Sequence, residues 1–524
     1  MAASDVPVRR GDSTAPVSSG RRRAVAWSMV FGYGALALAL VRNIVLVPIY
    51  LHYIDLSEYG AWLATGGALA QILVTDFGLA GVVVQRVAHS LGAADMVRLR
   101  ALIAAGLVNA AALALVLTLL CVALSPLLPG LQGLSETQTH RVLQSFLIAV
   151  AANGCAVPGN TLTGIIRSMQ RAAAAGSIVL IADLVGVVAT VLALVSGLGL
   201  LALPLGLLGR SVTTVVGGIG VLATTWVHEK WPRLQFDRAQ SMALWRDSLQ
   251  FFLTSVAMKL QSNANVLFVG MISGPQSAAV YGLTVRAHET VLLLIAQTNT
   301  ALAPSLAHLL GGNGQQRFRD LLLKLLLITA AISAVGMATT VALNQLFVHL
   351  WVGAAAFGGQ STSLWMGVAL WVASVAYVAY EALIAAGQFG QIARTFISAS
   401  AVHVVLLLIL VRFGMWGAPV ALLLTTLFWG ALLWRRVARD IHFSGTEALD
   451  ASAEIAKIVG ICAAAAALVV LVFPKVVSWY NLVAEGFTCV SVSALALFLL
   501  RPHLRRLMRE EIPWFTRLAG NSNR

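Results

Sequence analysis

From end to end, apolar runs of about 20 residues recur in this chain, separated by short polar segments. As a helix, each run is long enough to cross roughly 30 Å of hydrocarbon. Charged residues make up only 11% of the 524, against 59% hydrophobic, whereas a soluble domain carries roughly 25% charged residues. A fold so poor in charge cannot cover a water-facing surface, so lipid must be the solvent for most of it. Lipid offers no partners to backbone N–H and C=O groups, which leaves helices or a closed barrel. The runs are too long and continuous for barrel strands, which alternate over about ten residues. The chain therefore reads as an all-α polytopic membrane protein.

About fourteen spans are expected, near 26–51, 59–84, 101–125, 142–165, 177–197, 199–226, 249–272, 281–308, 321–345, 361–386, 392–411, 415–434, 455–474 and 480–500. Lysine and arginine set the orientation. Of 35 basic residues, 28 fall in alternate segments (the N-terminal tail, 85–100, 166–176, 227–248, 309–324, 387–394, 435–457 and the C-terminal tail). The opposite segments hold only Arg141, Arg412 and Lys475. A wrong span count would scramble this alternation, so both ends are expected in the cytoplasm. The tail 1–25 is polar and basic and reads as disordered. The apolar segment after it is too long for the core of a cleaved signal.

The sequence also echoes itself. The segment starting at Glu58 opens Glu-Tyr-Gly, that starting at Val280 opens Val-Tyr-Gly, and each closes about thirty residues later in Ala-His-x-Leu-Gly, at His89 and His308. The two segments lie six spans apart, after an outward helix and a short outer loop. Six is even, so the copies share an orientation and the repeat is parallel. The expected organisation is two six-helix lobes, 26–226 and 249–434, joined by a polar linker, 227–248. A polar loop, 435–454, leads to a terminal pair of helices, 455–500, and a basic tail, 501–524.

Ionisable groups inside a span are costly and mark function by default. Eight lie well inside: Arg42, Asp76, Asp183, Arg210, Lys259, Arg286, Glu289 and Glu381. Five of these sit on spans 1, 2, 7 and 8, the first two helices of each repeat. At 100° per residue, Ser248, Ser255, Lys259, Ser262 and Asn263 share one face of span 7. Arg286, Glu289, Gln297, Thr300 and Pro304 share a face of span 8, and Ser374, Tyr377 and Glu381 a face of span 10. Such stripes should line water or a polar ligand. Lys259 is central and has no acid in its own helix. More ordinary readings stand beside these. Arg286 and Glu289, three residues apart, can neutralise each other. Asp183 reads as near the inner end of its helix, touching headgroups, and Arg210 as structural glue, pairing with Asp183 or with a lobe backbone. His52, His288 and His403 read as interfacial or packing residues, and Tyr53, Tyr59 and Trp351 as interfacial anchors.

A net charge of +14 would suggest nucleic acid in a soluble protein, but here it lies at span ends, so no nucleic-acid partner is expected. No phosphate-binding loop or dinucleotide fingerprint occurs. Cys121, Cys155, Cys462 and Cys489 lie in apolar spans without ligand spacing, so no metal or cofactor is expected.

One stretch of about fifty residues resembles a known pattern: Arg42, then Pro48, Tyr50 and Leu51, then Tyr59, Gly60 and Trp62, then Asp76, Gly78 and Leu79. It is similar to the N-terminal signature of polysaccharide transporters, the flippases of lipid-linked oligosaccharides. Their superfamily also holds multidrug and toxin extrusion transporters and lipid II flippases. The resemblance implies a V-shaped pair of bundles around a cationic cavity in a bacterial inner membrane. It implies as substrate an undecaprenyl-diphosphate-linked glycan unit, held by Arg42, Lys259 and Arg286 with Asn263 and Gln297. Asp76, Glu289 or Glu381 would couple to protons or sodium or balance charge, and a glycan polymerase or export machinery would be the partner. A multidrug exporter is the first rival, although it would favour an acidic cavity. A membrane polymerase or ligase is the second, although the outer loops are short and lack paired carboxylates. A passive scaffold in an assembly complex is the third; it leaves the buried charges unexplained.

Overall fold

The computed structural model describes residues 31, 34, 37–38, 40–70, 78–93, 95–127, 136–169, 171–228, 233–310, 315–386, 388–441, 445–473 and 476–501. Among the described residues there is no β-strand. A π-helical turn, Val41–Val45, leads into α1 (Leu46–Tyr53), and α2 (Leu56–Trp62) leads into a second π-helical stretch, Leu63–Leu69. The first half continues with α3 (Leu79–Gly92), α4 (Met96–Leu124), α5 (Glu136–Ser168), α6 (Ala172–Val195) and α7 (Ala202–His228). The second half contains α8 (Arg238–Ser273), α9 (Pro275–Leu310), α10 (Gln315–Val352), α11 (Gln360–Ala385), α12 (Phe389–Leu410) and α13 (Gly417–Ile441). Last come α14 (Gly445–Val472) and α15 (Trp479–Leu500). Side-chain caps start several of these helices, as at Asp95 for α4, Asp237 for α8 and Ser478 for α15, each satisfying a backbone N–H that the first turn leaves unpaired.

Eleven helices among the described residues are long and apolar enough to cross a membrane. The other three expected spans differ for identifiable reasons. Span 26–51 is described only in part. Span 59–84 is not one uninterrupted α-helix: it passes through Leu63–Leu69 as a π-helix, and α3 starts from Gly78 at φ 69°. That left-handed conformation suits glycine and explains Gly78 in the Asp-x-Gly-Leu motif. Span 249–272 lies inside the 36-residue α8, where Lys259, Gln261, Ser262, Asn263 and Asn265 dilute the apolar pattern.

The packing repeats as the sequence echo requires. In the first half α3, α4 and α5 pack against one another, α7 packs on α5 and α6, and Arg42 of the first span reaches Asp183 of α6. The second half repeats every one of these pairings: α9, α10 and α11 together, α13 on α11 and α12, and α8 on α12. The terminal pair, α14 and α15, packs on itself and on α10. Large apolar side chains such as Leu119, Val195, Leu471 and Phe487 are exposed on the outside, as lipid-facing positions should be.

Two of the contacts between the halves account for motifs in the sequence. Pro48 has no N–H to give the Ile44 carbonyl its usual helical donor, and the Trp351 indole Nε1 of α10 donates to that oxygen at 2.6 Å. Trp351 is therefore a buried inter-lobe bond rather than the expected interfacial anchor. Tyr59 is likewise buried, while Tyr53 is exposed. The second contact explains the repeated Tyr-Gly. Gly60 of α2 lies against the Pro275 carbonyl that opens α9, and Gly282 of α9 lies against Leu63. The two Tyr-Gly positions mark where the paired helices cross, and at Gly60 only glycine lets backbone approach backbone. His288 and His403 are buried packing residues, and the latter's Nδ1 lies 3.1 Å from Thr425 Oγ1.

Candidate functional site: a basic cavity in the first lobe

A cavity of about 690 Å³ lies where the first lobe meets α8 and α9. Arg42 and Tyr50 line it from the first span, Tyr59 and Trp62 from α2, Lys259 from α8 and Arg286 from α9. These are the helices on which the buried charges cluster in the sequence. The cavity also extends over α5, α6 and α7, which bring Asn153, Asn160, Asp183 and Arg210 to it. The helical period accounts for that. Asp183, Gly186, Val187 and Thr190 share one face of α6, and Leu203, Gly206, Leu207 and Arg210 one face of α7. Gly186 and Gly206 let those faces approach closely, as small residues do in membrane bundles.

Asp183 corrects its expected position. The helix begins at Ala172, five residues earlier than the apolar pattern suggests, so Asp183 sits near its middle rather than at the headgroup layer. There it joins two arginines: Arg210 Nε lies 2.6 Å and Arg42 Nη1 3.4 Å from the same Oδ1. The Arg210 pairing is one of the two partners its position in the sequence allowed; the Arg42 pairing, 141 residues away, had no signal there. Arg286 pairs with Glu289 at 3.5 Å, as the spacing suggests, and also reaches Tyr59. Among the described residues Lys259 makes no ion pair, and its side chain is exposed to the cavity. Among the described residues, four basic residues and one acidic residue thus line the space.

The other expected residues fall elsewhere. Asn263 is turned onto its own helix, donating to the Lys259 carbonyl and to Ser262 at 3.1 Å each, and does not line the cavity. Glu381 sits on α11 beside Tyr377 and Tyr380, whose rings pack edge to face at 5.9 Å within the second lobe. Asp76 and the side chain of Gln297 lie outside the described residues. Asn153 and Asn160 had no signal in sequence beyond polarity within an apolar run.

Asp183→Asn tests the pairing. Breaking a fully buried ion pair on one side costs about 3–5 kcal/mol. Arg42 and Arg210 keep 35% and 40% of their side-chain surface exposed, so screening should reduce the loss to about 1–3 kcal/mol. It should be read as a lowered unfolding midpoint of the purified protein, with Thr190→Val as the control.

Solved structures share this architecture. The chain aligns with the lipid II flippase MurJ in its inward closed conformation at TM-score 0.68 and 12% identity, over 93% of this chain and all of that one. An inward-facing multidrug resistance transporter of the MATE family aligns at TM-score 0.64 and 14% identity, over 80% of this chain and 97% of the other. A MOP superfamily transporter from Pyrococcus furiosus, described as having a binding pocket of reversed polarity, aligns at TM-score 0.60 and 14% identity, over 81% and 97%. Identities this low speak for the fold alone. No curated protein matches the sequence. Residues 24–310, more than half of the chain and including all the basic residues of the cavity, match the polysaccharide biosynthesis protein family. This multi-pass membrane protein, with its repeated helical lobes and basic cavity, belongs to the polysaccharide biosynthesis protein family.

Proposed function

We propose that this protein is a flippase that carries an undecaprenyl-diphosphate-linked oligosaccharide unit from the inner to the outer leaflet of a bacterial inner membrane, with both termini in the cytoplasm. The supporting observation is the lining of the cavity among the described residues: Arg42, Arg210, Lys259 and Arg286 against one acid, Asp183. Guanidinium groups can take phosphate oxygens in pairs, whereas the Lys259 ammonium acts as a point charge. The diphosphate enters this low-dielectric space against those cations, the glycan occupies the polar wall of Asn153 and Asn160, and the lipid tail stays in the bilayer. Alternating access follows from the two lobes rocking about the α2–α9 crossing. Asp76, Glu289 and Glu381 are the acids available to couple a proton or sodium gradient, and a glycan polymerase is the partner that consumes the product.

The decisive experiment is reconstitution into liposomes with a fluorescent undecaprenyl-diphosphate glycan and an outer-leaflet quencher. Transfer between leaflets by the protein alone is the expected result. Failure to move the glycan, together with efflux of cationic drugs from the same vesicles, would instead favour the multidrug exporter.

A further inference from the structure

A second cavity, about 310 Å³, lies far from the first in sequence, between α12 and α13. Gln391, Arg394, Thr395 and Ser398 line it from α12, at spacings i, i+3, i+4 and i+7. Leu432, Arg435, Arg436 and Arg439 line it from α13 at the same spacings. Each set is one helix face, so a polar face of α12 and an arginine-rich face of α13 meet over a single recess. Its position is the arginine-rich end of the bundle, which the positive-inside rule assigns to the cytoplasm. Arg394 and Arg435 each lie about six residues from that end of their helices, roughly 9 Å at 1.5 Å per residue, the depth of lipid headgroups.

One of the four arginines is already satisfied. Arg436 Nε lies 3.2 Å from Asp440 Oδ2 and 3.1 Å from Gln388 Oε1, and Gln388 donates to Asp440 in turn. This triad ties the start of α12 to the end of α13. Arg394, Arg435 and Arg439 are exposed and, among the described residues, make no ion pair. Arg394 Nε gives a 3.3 Å bond to the Gly390 carbonyl in its own turn, which leaves its remaining N–H groups to the recess. Alongside Leu432, the same two helices expose Ile397, Val405, Leu424 and Phe428. Three cations beside the Thr395 and Ser398 hydroxyls, below an apolar strip facing lipid, fit an amphiphile with one anionic head.

We infer that this recess is a binding site for the phosphate headgroup of an anionic phospholipid of the inner leaflet, with the acyl chains lying along α12 and α13. Arginine suits it because the guanidinium fork meets two phosphate oxygens at once, and basic recesses between helices at this depth select anionic lipids. The site does not depend on what the first cavity carries.

The full chain, purified in neutral detergent and stripped of lipid, is titrated with phosphatidylglycerol, phosphatidylcholine or undecaprenyl diphosphate, and retention is read by native mass spectrometry. The wild type should hold phosphatidylglycerol about tenfold better than phosphatidylcholine, and the triple variant Arg394→Gln/Arg435→Gln/Arg439→Gln should lose that margin. Lysines at the same three positions should restore part of it. Arg98→Gln/Arg238→Gln, which removes two exposed arginines elsewhere, should leave it unchanged. If the triple glutamine variant does not fold, Arg394→Gln alone should show about a third of the loss in free energy, roughly a twofold change. Equal retention by the glutamine variants and wild type overturns the site. So does an equal loss in the Arg98/Arg238 control, which would mean diffuse charge. Preferential retention of undecaprenyl diphosphate at these arginines overturns the phospholipid assignment.

Discussion

Removing both Lys259 and Arg42 by alanine is expected to abolish glycan transfer, with a loss of 100-fold or more in the liposome assay. A hydrogen bond to a charged group contributes about 1.5–3 kcal/mol, so two lost partners for a diphosphate remove about 3–6 kcal/mol, roughly 10²–10⁴ in affinity. The single variants should be unequal. Arg42 is already engaged by Asp183 at 3.4 Å, and Arg210 on the same carboxylate can take over part of its role. Lys259 has no such neighbour among the described residues, so Lys259→Ala alone should account for most of the loss. Lys259→Arg keeps the charge and should retain at least a tenth of the wild-type rate. The Lys259 variants should keep unfolding midpoints close to wild type, because among the described residues Lys259 makes no ion pair. Full activity in the double variant would sink the cationic-cavity mechanism while leaving the fold untouched.

Gly60→Ala is expected to be the most damaging single change outside the cavity. A Cβ at this position would overlap the Pro275 carbonyl and come within 2.9 Å of the Ala279 nitrogen. Both are backbone atoms and cannot rotate away, so α2 and α9 must separate. Overpacking of this kind typically costs about 1–3 kcal/mol, and here it falls on the crossing about which the lobes move. Transfer should drop at least tenfold and the unfolding midpoint by several degrees. Two other glycines give the scale. At Gly282 the obstacle is the tip of Leu63, Cδ1 at 2.9 Å, a flexible side chain, so Gly282→Ala should be mild. At Gly81 nothing lies within 4 Å, and Gly81→Ala should be neutral or slightly stabilising through helix propensity. Equal behaviour of all three would show that the α2–α9 contact does not govern transport.

The helical architecture, its internal repeat and three of the four cavity cations were legible in the sequence. Lipid leaves an apolar run of about twenty residues few options, and a charge within such a run has to face a polar interior; that is why Arg42, Lys259 and Arg286 could be placed together before their helices were. Hydropathy has no such hold on α8, where the polar stripe around Lys259 weakens the apolar signal, or on the span broken at Gly78, where a left-handed residue interrupts the period. It also misjudged Asp183, because the first five residues of α6, Ala172–Gly176, are small and only weakly hydrophobic, so the apolar signal begins after the helix does.

By itself the sequence determined that the chain folds as membrane-spanning helices in two like halves, and on which helices buried charge would gather, because hydropathy and its period act locally along the chain. Only the tertiary structure decided which groups meet: that Arg42 joins Arg210 on Asp183, that the Trp351 indole donates to the carbonyl Pro48 leaves without a donor, and that Gly60 is small because Pro275 is there. Each of these joins residues far apart in the chain. What selects them is the closeness of two helix faces, set by the side-chain volumes on both, and no single segment of sequence carries that information.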